Sequence, residues 1–201
     1  MYGNAVSIFL LSFKITKEKN VSPSDLEMGF NLAVRLIDAG IFEEIDNERL
    51  KEISPRGSAL VACGDRDRFS HYFNTLREAI DVHPITLNGG SILLGTDIDH
   101  ERKRIVTEDI SDALGLKSMD TVVLSSHFPC GKAGLLGFGL KEILIKTLEG
   151  KEHLKRFFPN VRIVPLISID WRPSSLDRKD ATFIETFAFH LHHKETIRSF
   201  E

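Results

Sequence analysis

The sequence is poor in cysteine, with only Cys63 and Cys130 among 201 residues. Two cysteines cannot form the disulfide framework of a small secreted domain, and a chain of this length buries ~70% of its unfolded surface without such staples. Long hydrophobic runs are missing as well. No stretch approaches the ~20 apolar residues of a membrane span, so no membrane partner is expected. The nearest candidate, residues 5–13 (AVSIFLLSF), has no basic segment before it, and the charged run KITKEKN follows without a small-residue cleavage site. We read it as an extended arm or first strand lying on the body or on a partner subunit, and expect a cytoplasmic protein. Neither sign of charge is in excess: 26 Lys and Arg against 29 Asp and Glu leave a formal charge of −3. Nothing electrostatic therefore calls for a nucleic acid. Internal repeats and low-complexity linkers are lacking too. Apolar residues at 42% and charged residues at 27% exclude wholesale disorder.

What is present is an alternation of strand-like and helix-like patterns. Ser22-Pro23-Ser24-Asp25 starts a helix, with Ser22 as cap and Pro23 in the first turn. Leu26, Phe30, Ala33, Val34 and Ile37 form its apolar face, and Gly40 stops it. A more polar helical stretch is expected over residues 42–53. Residues 58–63 (SALVAC) form a continuous apolar run, the pattern of a parallel strand buried on both faces. Residues 83–87, 121–125 and 161–169 read as three further strands. Helices are expected over 66–80, over 100–114 with Gly115 as cap, and over 132–148 with Gly150 as cap. Residues 181–201 read as a last helix. Strands alternating with helices of this length mean βαβ units. The expected fold class is α/β, a mostly parallel four-stranded sheet core flanked by helices. We expect a single domain, with residues 1–57 an arm and helices packed on the core and 58–201 the core itself.

The two cysteines fall at matching places in this pattern. Cys63 ends the first expected strand, with Asp65 two residues on. His127 and Cys130 follow the third, in SSHFPCG. Ligands of open α/β sheets bind outside the carboxyl ends of strands where neighbouring connections diverge. If the first and third strands are neighbours, two thiols, an imidazole and a carboxylate meet there. Thiolate and imidazole suit tetrahedral zinc. Cys130 precedes a helix expected near Gly131, whose N-terminus should lower the thiol pKa, and Pro129 keeps Phe128 extended. Two other readings stand beside the metal: buried cysteines with a hydrogen-bonded core histidine, or a Cys63–Cys130 disulfide.

Cys63-Gly64-Asp65 after the first strand, Asn88-Gly89-Gly90 after the second and His127-Phe128-Pro129-Cys130-Gly131 after the third resemble the beta-class carbonic anhydrases. The resemblance covers about residues 58–169. It implies a Zn2+ cofactor held by Cys63, His127 and Cys130, with a fourth position taken by water or by Asp65. It also implies the strand order 2-1-3-4, a homodimer or higher homo-oligomer, and CO2 and bicarbonate as the small-molecule substrates. Two positions depart from the family pattern. The arginine of C-x-D-x-R is replaced by Asp67, and the arginine before N-x-G by Leu87. Arg66, Arg68, Asn88, Gly89 and Gly131 are the candidate residues around the ligands.

The implied activity is reversible hydration of CO2 to bicarbonate by zinc-bound hydroxide. Asp65 detached from the metal orients the attacking water, and Asp65 bound to the metal closes the site. Asp67 beside Asp65 brings like-charge repulsion where the family has a guanidinium, so a closed or weakly active site is expected unless Arg66 or Arg68 reaches Asp65. The alternatives are a non-catalytic or closed-site zinc protein, and a zinc hydrolase of another small molecule such as carbonyl sulfide or carbon disulfide.

Lesser signals remain. His71 is a candidate proton relay, and Phe69 and Phe128 a candidate apolar wall. His100 and the run Arg102-Lys103-Arg104 read as solvated. Of His190, His192 and His193, only the first and last share a helical face, and an adventitious metal suits them better than a built site. Gly134, Gly137 and Gly139 signal either close backbone packing at a dimer seam or a loop that delays the next helix.

Overall fold

A computed structural model of the chain describes residues 22–64, 81–171 and 184–200. The expected helix over 66–80, the arm before Ser22, and Asp65, Arg66, Asp67, Arg68, Phe69 and His71 lie outside the described residues.

Helix α1, Pro23–Asp38, starts as its sequence demands: the Ser22 hydroxyl accepts the Asp25 N–H at 3.1 Å. Gly29, Ala33 and Leu36 are buried, whereas Val34, expected on the inner face, is exposed. The polar stretch over 42–53 is not one helix. It divides into a two-residue strand, β1 (Glu43–Glu44), and a short helix, α2 (Asn47–Ile53). The cause is Phe42, which is buried and stacks on Phe187 at 5.2 Å, drawing the chain across the sheet before Asp46 accepts the Arg49 N–H and starts the helix.

Four parallel strands follow: β2 (Ser58–Cys63), β3 (Val82–Leu87), β4 (Thr121–Phe128) and β5 (Arg162–Asp170). β2 lies between β3 and β4, and β5 pairs with β4. Counted among themselves in chain order, the parallel strands run 2-1-3-4. Among the described residues the sheet has six strands rather than four, because an antiparallel strand β6 (Ile184–Ala188) pairs with β5 and β1 pairs with β6. The tail is therefore not a single helix. After β6 come a 3-10 turn at Leu191–His193 and helix α6, Lys194–Ser199. Phe187, Ala188 and Phe189 are consecutive and all buried, which a strand covered on both faces provides and a surface helix does not.

The connections carry helices α3 (His100–Lys117), α4 (Gly131–Leu135) and α5 (Leu140–Phe157). α3 buries Val106, Ile110 and Ala113 and ends at Ser118 in the left-handed conformation, past the stop expected at Gly115 by less than one turn. α5 starts later than expected and runs through Gly150. There it meets the 3-10 segment Gly90–Gly95: a Cβ on Gly150 would sit 3.2 Å from the Ser91 carbonyl, so this glycine is kept for contact, not as a cap. α1 and α5 close one apolar cluster with Phe128, Ile167 and Phe189; α3 continues that face over Val61, Val122 and Leu124. Leu60, Val123, Val164 and Leu166 point to the other face with Ile53. Each such side chain contributes ~1.5–3 kcal/mol on burial, so β2 and β4, with apolar side chains buried on both faces, form a packed platform. The loops at their carboxyl ends are positioned by that platform.

Candidate metal centre

Cys63 is the last residue of β2 and His127 the penultimate residue of β4, and both adjacent strands end at the same rim. Cys130 follows as the N-cap of α4. His127 and Cys130 are each 4% exposed and Cys63 is half-buried. One ligand atom from each of the three lies within 4.8 Å of the others. Among the described residues, this is the group of Cys, His, Asp or Glu side chains that converges in this way.

The imidazole is held in one tautomer. His127 Nδ1 lies 2.9 Å from the Pro129 carbonyl oxygen, which can only accept, so Nδ1 carries the proton. Nε2, buried, keeps the lone pair. A backbone carbonyl on the far nitrogen is the usual means of orienting a metal-binding histidine. The Phe128–Pro129 peptide between the two residues is cis.

The Asn88-Gly89-Gly90 turn after β3 serves Cys63. Leu87 sits beside Cys63 in register, and the next turn brings the Gly89 N–H to 3.3 Å from Cys63 Sγ. Gly89 and Gly90 have φ of +93° and +51°. A Cβ on Gly90 would stand 2.5 Å from the backbone nitrogen of Cys63, so no side chain fits. Asn88 itself is exposed and its Oδ1 faces Gly64. Gly131, in contrast, opens α4 with empty space where a Cβ would be, and is not sterically required.

The Cys130 thiol is not eased toward its anion as its helix position suggested. Its pKa is pushed far above the ordinary thiol range, chiefly by hydrogen bonding to Cys63, then by burial and the charge of Cys63. The N–H groups of Lys132 and Ala133 pull the other way and lose. A five-residue helix is a weak dipole beside an adjoining sulfur. Two thiols this close cannot both be anions in a buried place without a cation between them. A divalent cation between them would compensate both charges. For tetrahedral zinc with ~2.3 Å sulfur bonds, donor atoms stand about 3.7 Å apart, inside the 4.8 Å within which all three atoms lie. The donor set fits.

The other candidates sort clearly. Phe128 is buried, its ring edge-on to Phe30 at 5.6 Å and pressed on Gly29, so it is core under α1. The glycines after Cys130 break the chain between α4 and α5, with Gly137 at φ +74°, so they delay the helix. Arg104 binds Glu101 and Glu108, and Arg102 binds Asp99, on a solvated face. His100 is exposed. Cys63 and Cys130 are not joined by a disulfide. The Gly89 N–H to Cys63 bond and the Pro129 carbonyl on His127 were not foreseen; the Asn88-Gly89-Gly90 spacing was the signal for the first.

Fold and centre together define the class: an α/β protein with a mostly parallel sheet and a buried Cys-His-Cys cluster compatible with metal binding. No protein-family profile matches the chain, and no curated protein does. Among solved structures, two mutants of the beta-carbonic anhydrase CafD of the filamentous fungus Aspergillus fumigatus are similar to it. The cysteine-to-alanine mutant aligns at TM-score 0.43 and 9% identity, over 74% of this chain and 99% of its own. The glutamate-to-alanine mutant aligns at 0.42 and 8%, over 74% and 98%.

Proposed function

We propose that the chain is a zinc protein of the beta-carbonic-anhydrase kind that hydrates CO2 to bicarbonate. The observation that carries this reading is the convergence of Cys63 Sγ, Cys130 Sγ and one His127 nitrogen at the carboxyl rim of two adjacent strands. These three residues would hold the ion, and bound there it supplies Lewis acidity, lowering the pKa of a water molecule from ~15.7 to about 7. The chain's own part is to orient and exclude. Pro129 fixes the imidazole tautomer and the Gly89 N–H holds one sulfur, while Phe128 beneath the rim belongs to a dry core. In this reading Asp65 accepts the hydrogen bond of the attacking water, and residues 58–201 form the zinc-binding core on which 1–57 pack. A homodimer or higher homo-oligomer belongs to the same reading, as does a reducing, cytoplasmic compartment, which two cysteines not joined by a disulfide suit.

A second reading is favoured by a specific departure. Asp67 stands where the family has the arginine that draws the aspartate from the metal, so Asp65 closes the site and the protein turns over slowly or not at all. Metal analysis followed by stopped-flow CO2 hydration on zinc-loaded protein, with Cys63→Ser as control, separates the two. One zinc per chain with fast turnover at neutral pH supports the enzyme and overturns the closed site; one zinc without turnover does the reverse. Absence of zinc sinks both. Carbonyl sulfide and carbon disulfide belong in the same assay.

A further inference from the structure

The opposite rim of the sheet, at the start of β5, carries a second concave feature, a cavity of about 230 Å³. Neither the cysteines nor His127 line it. Its charged walls are Arg49 from α2, Lys151 and Lys155 from α5, and Arg162 from β5, against one carboxylate, Glu43, with His190 beside it. Most of these groups already have partners. Arg49 contacts Glu43 at 3.3 Å and Glu52 at 2.9 Å. Lys155 donates to the carbonyls of Pro159 and Val161 at 3.0 and 2.8 Å, Arg162 reaches the Glu52 carbonyl at 3.5 Å, and His190 lies 3.5 Å from Glu43.

Lys151 is different. It is partly buried, and among the described residues its ammonium has neither an ion pair nor a hydrogen bond. Burial first, and then the positive charges of Lys155 and Arg162, lower its pKa. An ammonium group drawn out of water towards two cations is unfavourable unless something negative compensates it. A lysine kept only for its apolar stem would turn its head to solvent, away from like charge.

We propose that this cavity binds a phosphate-class dianion, either inorganic phosphate or the phosphoryl end of a phosphomonoester, with Lys151 and Arg162 as its principal contacts. The four cations face Glu43 and, through Arg49, Glu52, which leaves two positive charges uncompensated, and a guanidinium beside ammonium groups is the donor set that matches tetrahedral oxyanions. The cavity is open on one side, so the remainder of an ester can project into solvent. This site stands whether or not the chain hydrates CO2.

The test is a titration of the full chain with inorganic phosphate and, separately, with glycerol phosphate, at constant ionic strength set with chloride, followed by calorimetry and 31P NMR. Saturable binding of either is expected, and which of the two binds more tightly identifies the source. Lys151→Met keeps the stem and removes the charge, and should weaken binding by about tenfold or more; Lys151→Arg should retain it. Should Lys151→Met fail to fold, Arg162→Gln, on an exposed side chain, makes the same test. Zinc content should not change in any of these. No saturable binding of either anion, or equal binding by wild type and the charge-removing variants, overturns the proposal.

Discussion

Cys63, His127 and Cys130 arrive at one point from the ends of two strands and the cap of a helix. His190, His192 and His193 lie side by side in the chain. The rings of the second group are close, with centroids 5.5, 6.1 and 4.0 Å apart, yet His190 leans on Glu43 and the three nitrogens do not converge as the sulfur and imidazole atoms do. The difference lies in what surrounds each group. The first sits at the carboxyl ends of two adjacent buried strands, with a carbonyl orienting the imidazole and a backbone N–H aimed at one sulfur. The second sits on a 3-10 turn, where mutual proximity of imidazoles only depresses the His193 pKa, through burial and its two neighbours. Metal-capable residue types do not make a centre; fixed donors and a shell that orients them do.

Removing a donor from the first group is the strongest way to break this contrast. Cys63→Ser or Cys130→Ser should reduce zinc from about one equivalent per chain to nearly none, read by elemental analysis of protein that still shows its native circular dichroism. His127→Ala should do the same. Retention of a full equivalent by any of the three would place the metal elsewhere and dissolve the comparison.

The supporting turn offers a finer test. Gly90→Ala must place a methyl group 2.5 Å from the Cys63 nitrogen, on a backbone at φ +51°. Overpacking and the left-handed conformation together should cost about 2–4 kcal/mol in urea unfolding, with zinc affinity falling as Cys63 moves. Gly131→Ala, on the other side of the site, meets nothing within 4 Å and should change stability by less than about 0.5 kcal/mol. Equal costs at the two glycines would mean that the turn does not position Cys63.

Much of this arrangement was legible in the chain. The continuous apolar runs marked the four parallel strands, and the three motifs at their ends marked the residues that meet. The capping of α1 by Ser22 was a local signal and was read as such. The edge of the sheet was not legible, because β1 is two residues long and β6 has only five, with flanks that also suit a helix. Nor was the thiol's behaviour: the helix behind Cys130 is visible in sequence, whereas the sulfur of Cys63 beside it is a tertiary fact. Lys151 has no local signature at all, since its isolation depends on what α5 faces.

Partial burial of a histidine outside such a cluster gives a proton-linked effect, and His153 is the case in point. Its pKa is lowered to about 4, by burial first and then by Lys103 and Arg156. The unfolded chain, near 6.5, therefore binds a proton that the folded chain refuses. Stability should be constant above about pH 6.5, fall as the pH drops towards 4, and level off below that as far as this group is concerned. His153→Gln should flatten the thermal midpoint across that window while leaving zinc content alone; an unchanged slope would remove His153 as its source.

The smallest expected effect belongs to the triad. Replacing His192 and His193 together by alanine should leave zinc stoichiometry unchanged and lower only the chain's retention on immobilised nickel, since an exposed imidazole such as that of His192 still binds a metal that has other ligands to offer. Ile197 and α6 hold the tail through the core and through Lys194 with Glu152 at 2.7 Å, so the fold does not depend on these rings. If the double variant instead loses its zinc, the three neighbours in sequence are the centre after all. The cysteine rim would then be a pair of thiols and a core histidine, the reading that any one of those residues taken alone would deserve.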